Sequence, residues 1–330
     1  MALLNIENLS VVYRTRRGCL KALEQVDLMM PRGRCLGLVG ESGSGKSTIG
    51  LATLGLLPGN AEVVSGRILL EGADLLQLAP EAMQAVRWKK IAMVFQGAMN
   101  SLNPIQRVER QIIEAIRTHA PQTSLQAAAA RVTELLTQVG IGNARRRDYP
   151  HQFSGGMRQR VVIAMALACH PAMIIADEPT TALDVIVQRQ ILKLLRRLRD
   201  DTGMSILFIS HDIAVVAEVC DDIGVLYAGQ MVEVGSRQEV LEAPAHPYTQ
   251  ALLKAYTGLA DRRAQPALIA GGGPDQIRLP EGCRFKAHCP HAGISCIEQP
   301  PVWQNLSPTH RVRCGQCCGS PSTPDPAVES

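Results

Sequence analysis

The sequence predicts an α/β fold of the phosphate-loop type, in which a largely parallel sheet carries polar residues at the carboxyl ends of its strands. Three observations predict it. The stretch CLGLVGESGSGKSTIGLATLGLL passes from a β-type apolar run, Cys35 to Val39, through a glycine-rich loop, Gly40 to Gly45, into a helix-like segment opened by Lys46, Ser47 and Thr48. PAMIIADEPTTALD sets a short buried-type strand, Met173 to Ala176, directly ahead of two carboxylates, Asp177 and Glu178. KIAMVFQ and SILFISHD repeat the design, each an apolar run closed by a polar residue, Gln96 and His211.

The loop explains itself residue by residue. GxxxxGK followed by Ser or Thr is met by Gly40, Gly45, Lys46 and Ser47. Glycines let backbone N–H groups surround a β-phosphate, the helix N-terminus adds partial positive charge, the lysine reaches the β and γ oxygens, and the serine hydroxyl suits Mg²⁺. Ligands of parallel α/β sheets bind beyond the carboxyl ends of the strands, so Asp177 and Glu178 face the same loop. Asp177 is expected to hold Mg²⁺ through water and Glu178 to act as general base toward an attacking water. Gln96 and His211, brought to that edge, are expected to sense the γ-phosphate. HQFSGGMRQRVVIAMALACHP contains a second glycine-rich helix start, Ser154, Gly155 and Gly156. One chain already has its phosphate loop, so this second one points to a nucleotide held by another subunit, and hence to a dimer.

Bulk properties exclude more than they choose. With 330 residues the chain holds one large domain plus an appendage. Lys+Arg of 34 against Asp+Glu of 30 leaves +4, which neither demands nor forbids a nucleic-acid partner. MALLNIENLSVVY has no basic, apolar and small-residue sequence of a secretory signal, and the longest apolar run, Val161 to Cys169, is about half of the roughly 18 residues a membrane-spanning helix needs. A cytoplasmic chain is therefore expected, and in a reducing compartment clustered cysteines favour metal over disulfide. SLQAAAARVTELLTQVG predicts a helix capped by Ser124 and stopped by Gly140, with Leu125, Ala129, Val132, Leu136 and Val139 on its inner face.

The order Tyr13, GESGSGKST, Gln96, FSGGMRQR, MIIADEP, ALD at 182–184 and His211 resembles the nucleotide-binding subunit of an ATP-binding cassette (ABC) transporter over roughly residues 1–258. Within that family MNSLNP at 99–104, ADEPTTALDV at 176–185, YAGQMVE at 227–233 and HPYTQALL at 246–253 are most similar to the dipeptide and oligopeptide importer ATPases. The resemblance implies nucleotide contacts at Tyr13, stacked on adenine, at Gly40, Ser42, Gly43, Gly45, Lys46, Ser47, Thr48 and Gln96, and across a dimer seam at Ser154, Gly155, Gly156 and Asp184. It implies Mg²⁺ at Ser47, Gln96 and Asp177, with Glu178 and His211 catalytic. A helical subdomain at about 97–160 would receive a short helix from a transmembrane partner, and the ABC domain would end near 258. Two departures stand out. Gly97 and Ala98 replace the Asp-Pro that relatives usually carry, which puts coupling in question, and Met157 in the signature reads as subfamily character.

Residues 259–330 change character. AGGGPDQIRLPEGCRF is loop-like, GSPSTPDPAVES reads as a disordered tail, and between them a cysteine-rich module at 280–318 carries Cys283, Cys289, Cys296 and Cys314, with gaps of five, six and seventeen residues. So small a unit seldom coheres by apolar burial, so a four-thiolate site is expected, although the spacing alone does not name its occupant. Likeness to the C-terminal extension of peptide-importer ATPases implies a 4Fe-4S cluster, with Zn²⁺ the alternative, drawing on His288, His291 or His310, and unligated thiols a third reading. Cys317 and Cys318 are possible substitutes for Cys314. Cys19, Cys35, Cys169 and Cys220 are expected as small core residues, and the arginines at 14–17 and 145–147 as solvated faces.

The resulting expectation is an ATP-hydrolysing subunit on the cytoplasmic face of the inner membrane, coupling ATP to uptake of di- or oligopeptides or peptide-like solutes. Its implied partners are a second ATPase subunit, two permease subunits and an extracytoplasmic solute-binding protein, with no nucleic acid. A soluble ABC ATPase acting on nucleic acid or ribosomes is the alternative. The solute is chosen by the other chains and is not written in this one.

Overall fold

Residues 2–97, 101–260 and 274–315 are described by the computed structural model. The chain opens with two long antiparallel strands, β1 (Ala2–Thr15) and β2 (Gly18–Pro31). β3 (Cys35–Val39), buried along its whole length, feeds the glycine loop and α1 (Lys46–Thr53). β4 (Ala61–Leu70) and β5 (Ala73–Asp74) join the first two strands in an antiparallel sheet of order β2-β1-β4-β5. α2 (Pro80–Val86) then leads to β6 (Ile91–Val94), the far edge of the main sheet.

A helical region follows, made of α3 (Val108–His119), α4 (Leu125–Gln138) and α5 (Gly155–Ala166). Ser124 caps α4, accepting from the Ala127 N–H at 3.1 Å, and Gly140 ends it at φ +73°, as the sequence predicts. Of the expected inner face, Val132, Leu136 and Val139 are buried and Ala129 is half-buried. Ala128 and Leu135 are buried beside them, while Leu125, the first residue of the helix, is 62% exposed. α5 places the apolar run Val161–Ala166 inside the core, and no helix among the described residues is long and apolar enough to cross a membrane.

Strand and helix then alternate through β7 (Met173–Asp177), α6 (Val185–Thr202), β8 (Ser205–Ser210), α7 (Ile213–Val219) and β9 (Asp222–Tyr227). β3, β6, β7, β8 and β9 pair in parallel, and β3, β7 and β8 are apolar along nearly their whole length, the pattern of strands covered on both faces. β10 (Gln230–Ser236) turns back antiparallel, followed by α8 (Arg237–Glu242) and α9 (Pro247–Ala260). After α10 (Ile294–Glu298), β11 (Trp303–Asn305) and β12 (Arg311–Arg313) extend the same sheet beyond β10, giving the order β11-β12-β10-β9-β3-β8-β7-β6.

Two apolar layers hold this together. One lies between the two sheets, where Leu4, Ile6 and Leu28 meet Leu36, Ile175 and Leu207. The other lies between the main sheet and the helices, where Ile174, Phe208 and Ile206 meet Val161, Leu195 and Val216. Each such side chain contributes about 1.5–3 kcal/mol by leaving water.

Candidate active site

The phosphate loop follows the carboxyl end of β3 and occupies the space the sequence assigned to it. Gly43 and Gly45 hold φ of +80° and +105°, and a Cβ on Gly45 would come within 2.5 Å of the Ala22 carbonyl oxygen. Lys46, only 5% exposed, donates from Nζ to the carbonyls of Gly40 and Glu41, both at 2.7 Å. Burial pushes its ammonium below the ordinary lysine value, against the opposing pull of Glu178, Asp177 and Glu41.

The strand-end residues meet the loop from the side. Ser47 Oγ donates to Asp177 Oδ1 at 3.0 Å. Burial pushes Asp177 above the ordinary aspartate range, and the charge of Glu178 adds to this, while the Ser47 hydroxyl and Lys46 oppose it. A half-desolvated carboxylate paired with a hydroxyl is a hard-oxygen set that a divalent cation would stabilise, so Ser47 and Asp177 fit Mg²⁺.

Glu178 sits at φ +45° just past β7, with both oxygens engaged. Oε1 pairs with His211 Nδ1 at 2.9 Å, and Oε2 accepts from Gln96 Nε2 at 2.9 Å and Thr181 Oγ1 at 3.0 Å. Burial raises the carboxyl, but the bonds from His211 and Thr181 and the charges of His211 and Lys46 outweigh it, leaving Glu178 below its ordinary value. Gln96 is thus turned to Glu178 here, beside the position expected for Mg²⁺.

A cleft of about 620 Å³ opens over these groups, walled by Tyr13, Leu20, Lys46, Ser47, Glu178 and His211 among others. Ser42, Gly43, Gly45, Thr48 and Gln96 also line it, and the Tyr13 hydroxyl lies 3.3 Å from Thr48 Oγ1. Thr181 and Gln276 line it too, unforeseen in the sequence. Thr181 lay in view in the DEPTT stretch, whereas nothing local marks Gln276.

The second glycine set is elsewhere. Exposed Ser154 caps α5, accepting from the Met157 N–H at 3.4 Å, and Asp184 caps α6, accepting from Ile186 and Val187 N–H at 3.0 and 2.9 Å. Neither Ser154, Gly155 and Gly156 nor Asp184 lines the cleft of its own chain. Gly156 permits the two helix starts to touch, since a Cβ there would lie 2.4 Å from Val187 Cγ1. Of the departure at Gly97 and Ala98, Gly97 is exposed at φ +67° and Ala98 lies outside the described residues.

The cysteine module departs from expectation. Cys283, Cys289, Cys296 and Cys314 share one neighbourhood: burial raises the Cys283 thiol, and the nearby Cys296, Cys314 and Cys289 raise it further. Yet among the described residues no group of three or more His, Cys, Asp or Glu side chains is gathered to hold a metal ion. His310, expected as a possible zinc ligand, is instead paired through Nε2 with Glu233 at 2.8 Å, both buried. His291 is exposed. The module also has other means of cohesion, because Phe285 and Val312 enter the main core and β12 pairs with β10. Cys317 and Cys318 lie outside the described residues, as do residues 319–330. Cys35 and Cys220 are core residues with their sulfurs 3.4 Å apart, and Cys169 is half-buried against the same core, but Cys19 is exposed on β2, correcting the expectation for that one. Arg145, Arg146 and Arg147 form ion pairs with Asp148 and Glu109 at the surface.

A phosphate loop, an Asp–Ser pair fit for Mg²⁺ and a carboxylate held by a strand-end histidine define a phosphate-loop nucleotide-binding protein. The ABC transporter family description matches residues 23–181, and that of the oligopeptide/dipeptide transporter C-terminal region matches 232–296. The dipeptide transport ATP-binding protein DppD of Bacillus subtilis is 43% identical over 94% of this chain and 93% of its own length. The oligopeptide transport ATP-binding protein OppD of Escherichia coli is 43% identical over 91% and 89%. Among solved structures, the dimeric post-hydrolysis state of the ATP-binding cassette MJ0796 bound to ADP and Pi superposes with TM-score 0.62 at 28% identity, covering 71% of this chain and 98% of that one. CbiO1 of Clostridium perfringens gives TM-score 0.65 at 27% identity over 79% and 99%. The chain belongs to the ABC transporter family, among its dipeptide and oligopeptide ATP-binding subunits.

Proposed function

We propose that this chain is the ATP-hydrolysing subunit of an ABC importer for di- or oligopeptides or peptide-like solutes, working at the cytoplasmic face of the inner membrane. The observation that carries the reading is the convergence of Gln96, Glu178 and His211 on the phosphate loop, in a chain whose relatives are peptide-transport ATPases over nearly their full length. Those relatives lend no support to action on nucleic acid or ribosomes.

In this reading Tyr13 stacks on adenine, Lys46 and the backbone at 43–48 bind phosphates, and Ser47, Asp177 and Gln96 hold Mg²⁺, which when bound neutralises phosphate charge. Gln96 and His211 both bond Glu178, which places all three at the γ-phosphate end of the cleft in this reading. Glu178 takes a proton from the water that attacks the γ-phosphorus as ADP leaves, with Gln96 and His211 holding the carboxylate and the γ-phosphate end in place. Ser154, Gly155, Gly156 and Asp184, absent from their own cleft, are assigned to the nucleotide of a second ATPase subunit. The remaining partners are two permeases, meeting the helical region near 97–160, and a solute-binding protein. We set the domain boundary near 258.

The finer cofactor reading is a structural 4Fe-4S cluster on Cys283, Cys289, Cys296 and Cys314, with Zn²⁺ as alternative. The shared neighbourhood of the thiols supports it, and it requires them to close up around the group. Iron and sulfide in anaerobically purified brown protein would bear it out. Stoichiometric zinc favours the alternative, and metal-free protein overturns both.

The experiment for the main reading is reconstitution of this chain with its permeases and partner ATPase in vesicles. ATP-dependent accumulation of a labelled peptide is expected. ATP hydrolysis indifferent to permease and binding protein would sink it.

A further inference from the structure

The sequence places everything after residue 258 outside the nucleotide site, and the structure does not. The segment at 274–278 is held against the start of β2. The Lys21 N–H donates to the Gln276 carbonyl at 3.1 Å, Arg17 pairs with Asp275 at 3.7 Å, and a Cβ on Gly18 would lie 3.2 Å from Ile277 Cγ2. Lys21 adjoins Leu20, which faces Tyr13 across the β1–β2 ladder and lines the same cleft. From this anchorage the Gln276 side chain reaches the phosphate loop, its Nε2 donating to the Gly43 carbonyl at 2.6 Å.

That bond falls at a sensitive place. The peptide joining Gly43 to Ser44 is pinned at both ends, its carbonyl by Gln276 and its N–H by the Glu41 carbonyl at 3.1 Å. Because a peptide unit is planar, fixing both ends fixes its rotation, and with it the direction of the neighbouring loop amides. Glu41 is in turn steadied by donating its N–H to the Tyr248 hydroxyl at 2.9 Å, and Tyr248 packs edge-on against Phe285 of the cysteine module at 5.5 Å. At Gly43 the loop has no packing of its own to impose this order, since nothing lies within 4 Å of where a Cβ would be. A loop ordered in advance loses less freedom when phosphates arrive, so what orders it adds to affinity.

We infer that Gln276 is a nucleotide-positioning residue supplied by the C-terminal region: it fixes the Gly43–Ser44 peptide and walls the nucleotide cleft, so ATP affinity depends on the docking of that region. The inference rests on the reading of the cleft as an ATP site and adds the C-terminal region to it.

Calorimetric titration of the purified full-length chain with ATP and Mg²⁺ tests it, using Q276A, Q276E, R278A and K46A. Loss of one hydrogen bond predicts a Kd raised about fivefold in Q276A. Q276E keeps the size but sets an acceptor against the Gly43 carbonyl and negative charge near the phosphates, so it should be weaker than Q276A. R278A, altering an exposed neighbour, should bind like wild type, and K46A should lose binding. In the reconstituted transporter Q276A should raise KM for ATP by the same factor and leave kcat unchanged, a split that general destabilisation does not give. Wild-type Kd in Q276A while K46A fails to bind overturns the inference alone. Q276E binding better than Q276A, or R278A weakened as much as Q276A, also overturns it. Wild type that binds no ATP removes the underlying reading with it.

Discussion

Glu178→Gln is the sharpest test of the chemistry, because the structure says what the amide can and cannot replace. The side-chain oxygen can stay on the Gln96 and Thr181 donors, and the new NH₂ can face His211 Nδ1 in the tautomer that carries its proton on Nε2, so the three contacts at 2.9, 3.0 and 2.9 Å are all retained. Folding and ATP binding should therefore be unchanged. On the proposed reading, what is lost is the acceptor for the proton of the attacking water. General-base contributions of about 10²- to 10⁴-fold translate to roughly 3–5 kcal/mol of barrier. Phosphate release by the reconstituted transporter should fall by that factor in kcat, while calorimetric ATP affinity and the thermal midpoint hold. A fall of less than about threefold in kcat, with binding intact, would refute the assignment of Glu178 as base.

Three further outcomes follow from other contacts. Gly156→Ala puts a Cβ 2.4 Å from Val187 Cγ1, and forcing apart the starts of α5 and α6 should cost about 1–3 kcal/mol in urea unfolding, partly restored by adding V187A. Glu233→Ala strands the buried donors of Ala245, His246 and His310, which now bond it at 2.8, 2.9 and 2.8 Å, so a loss of about 3–5 kcal/mol and early proteolysis after residue 300 are expected. Glu239 is raised by burial but more strongly lowered by bonds from Ser307, Ser236 and Thr309, to about 2 from an ordinary 4.5. A depressed carboxyl stabilises fully above its unfolded value and loses that stabilisation as pH falls through about 2, so E239Q should show a flatter stability profile over that range.

Much of the site could be read from short stretches. The glycine loop, Lys46, Ser47 and the strand-end residues Gln96, Asp177, Glu178 and His211 each follow from a local rule, an apolar run ended by a particular polar group, and parallel pairing carries their ends to one edge. Ser124 and Gly140 bounded α4 for the same reason, since caps act within a single turn. The inner face of α4 was legible along its middle and end, where Val132, Leu136 and Val139 are buried, but not at its first residue, Leu125, because periodicity marks a face and does not say how far along the helix that face is covered.

The cysteine module shows where local reasoning ends. Its spacing and size suggested a unit that needs a metal to cohere, yet Phe285 joins Tyr227 and Tyr248 in the core, His310 finds Glu233, and β12 completes a sheet begun far upstream. Glu24 pairs with Arg284 across most of the chain, and Gly43 with Gln276 likewise. The chain's order alone determined its phosphate-binding chemistry, because that chemistry needs neighbours only a few residues apart. Which distant segments close around the loop was decided by the tertiary structure, since such pairs are selected by shape and burial after the sheet has formed and leave no periodic mark along the chain.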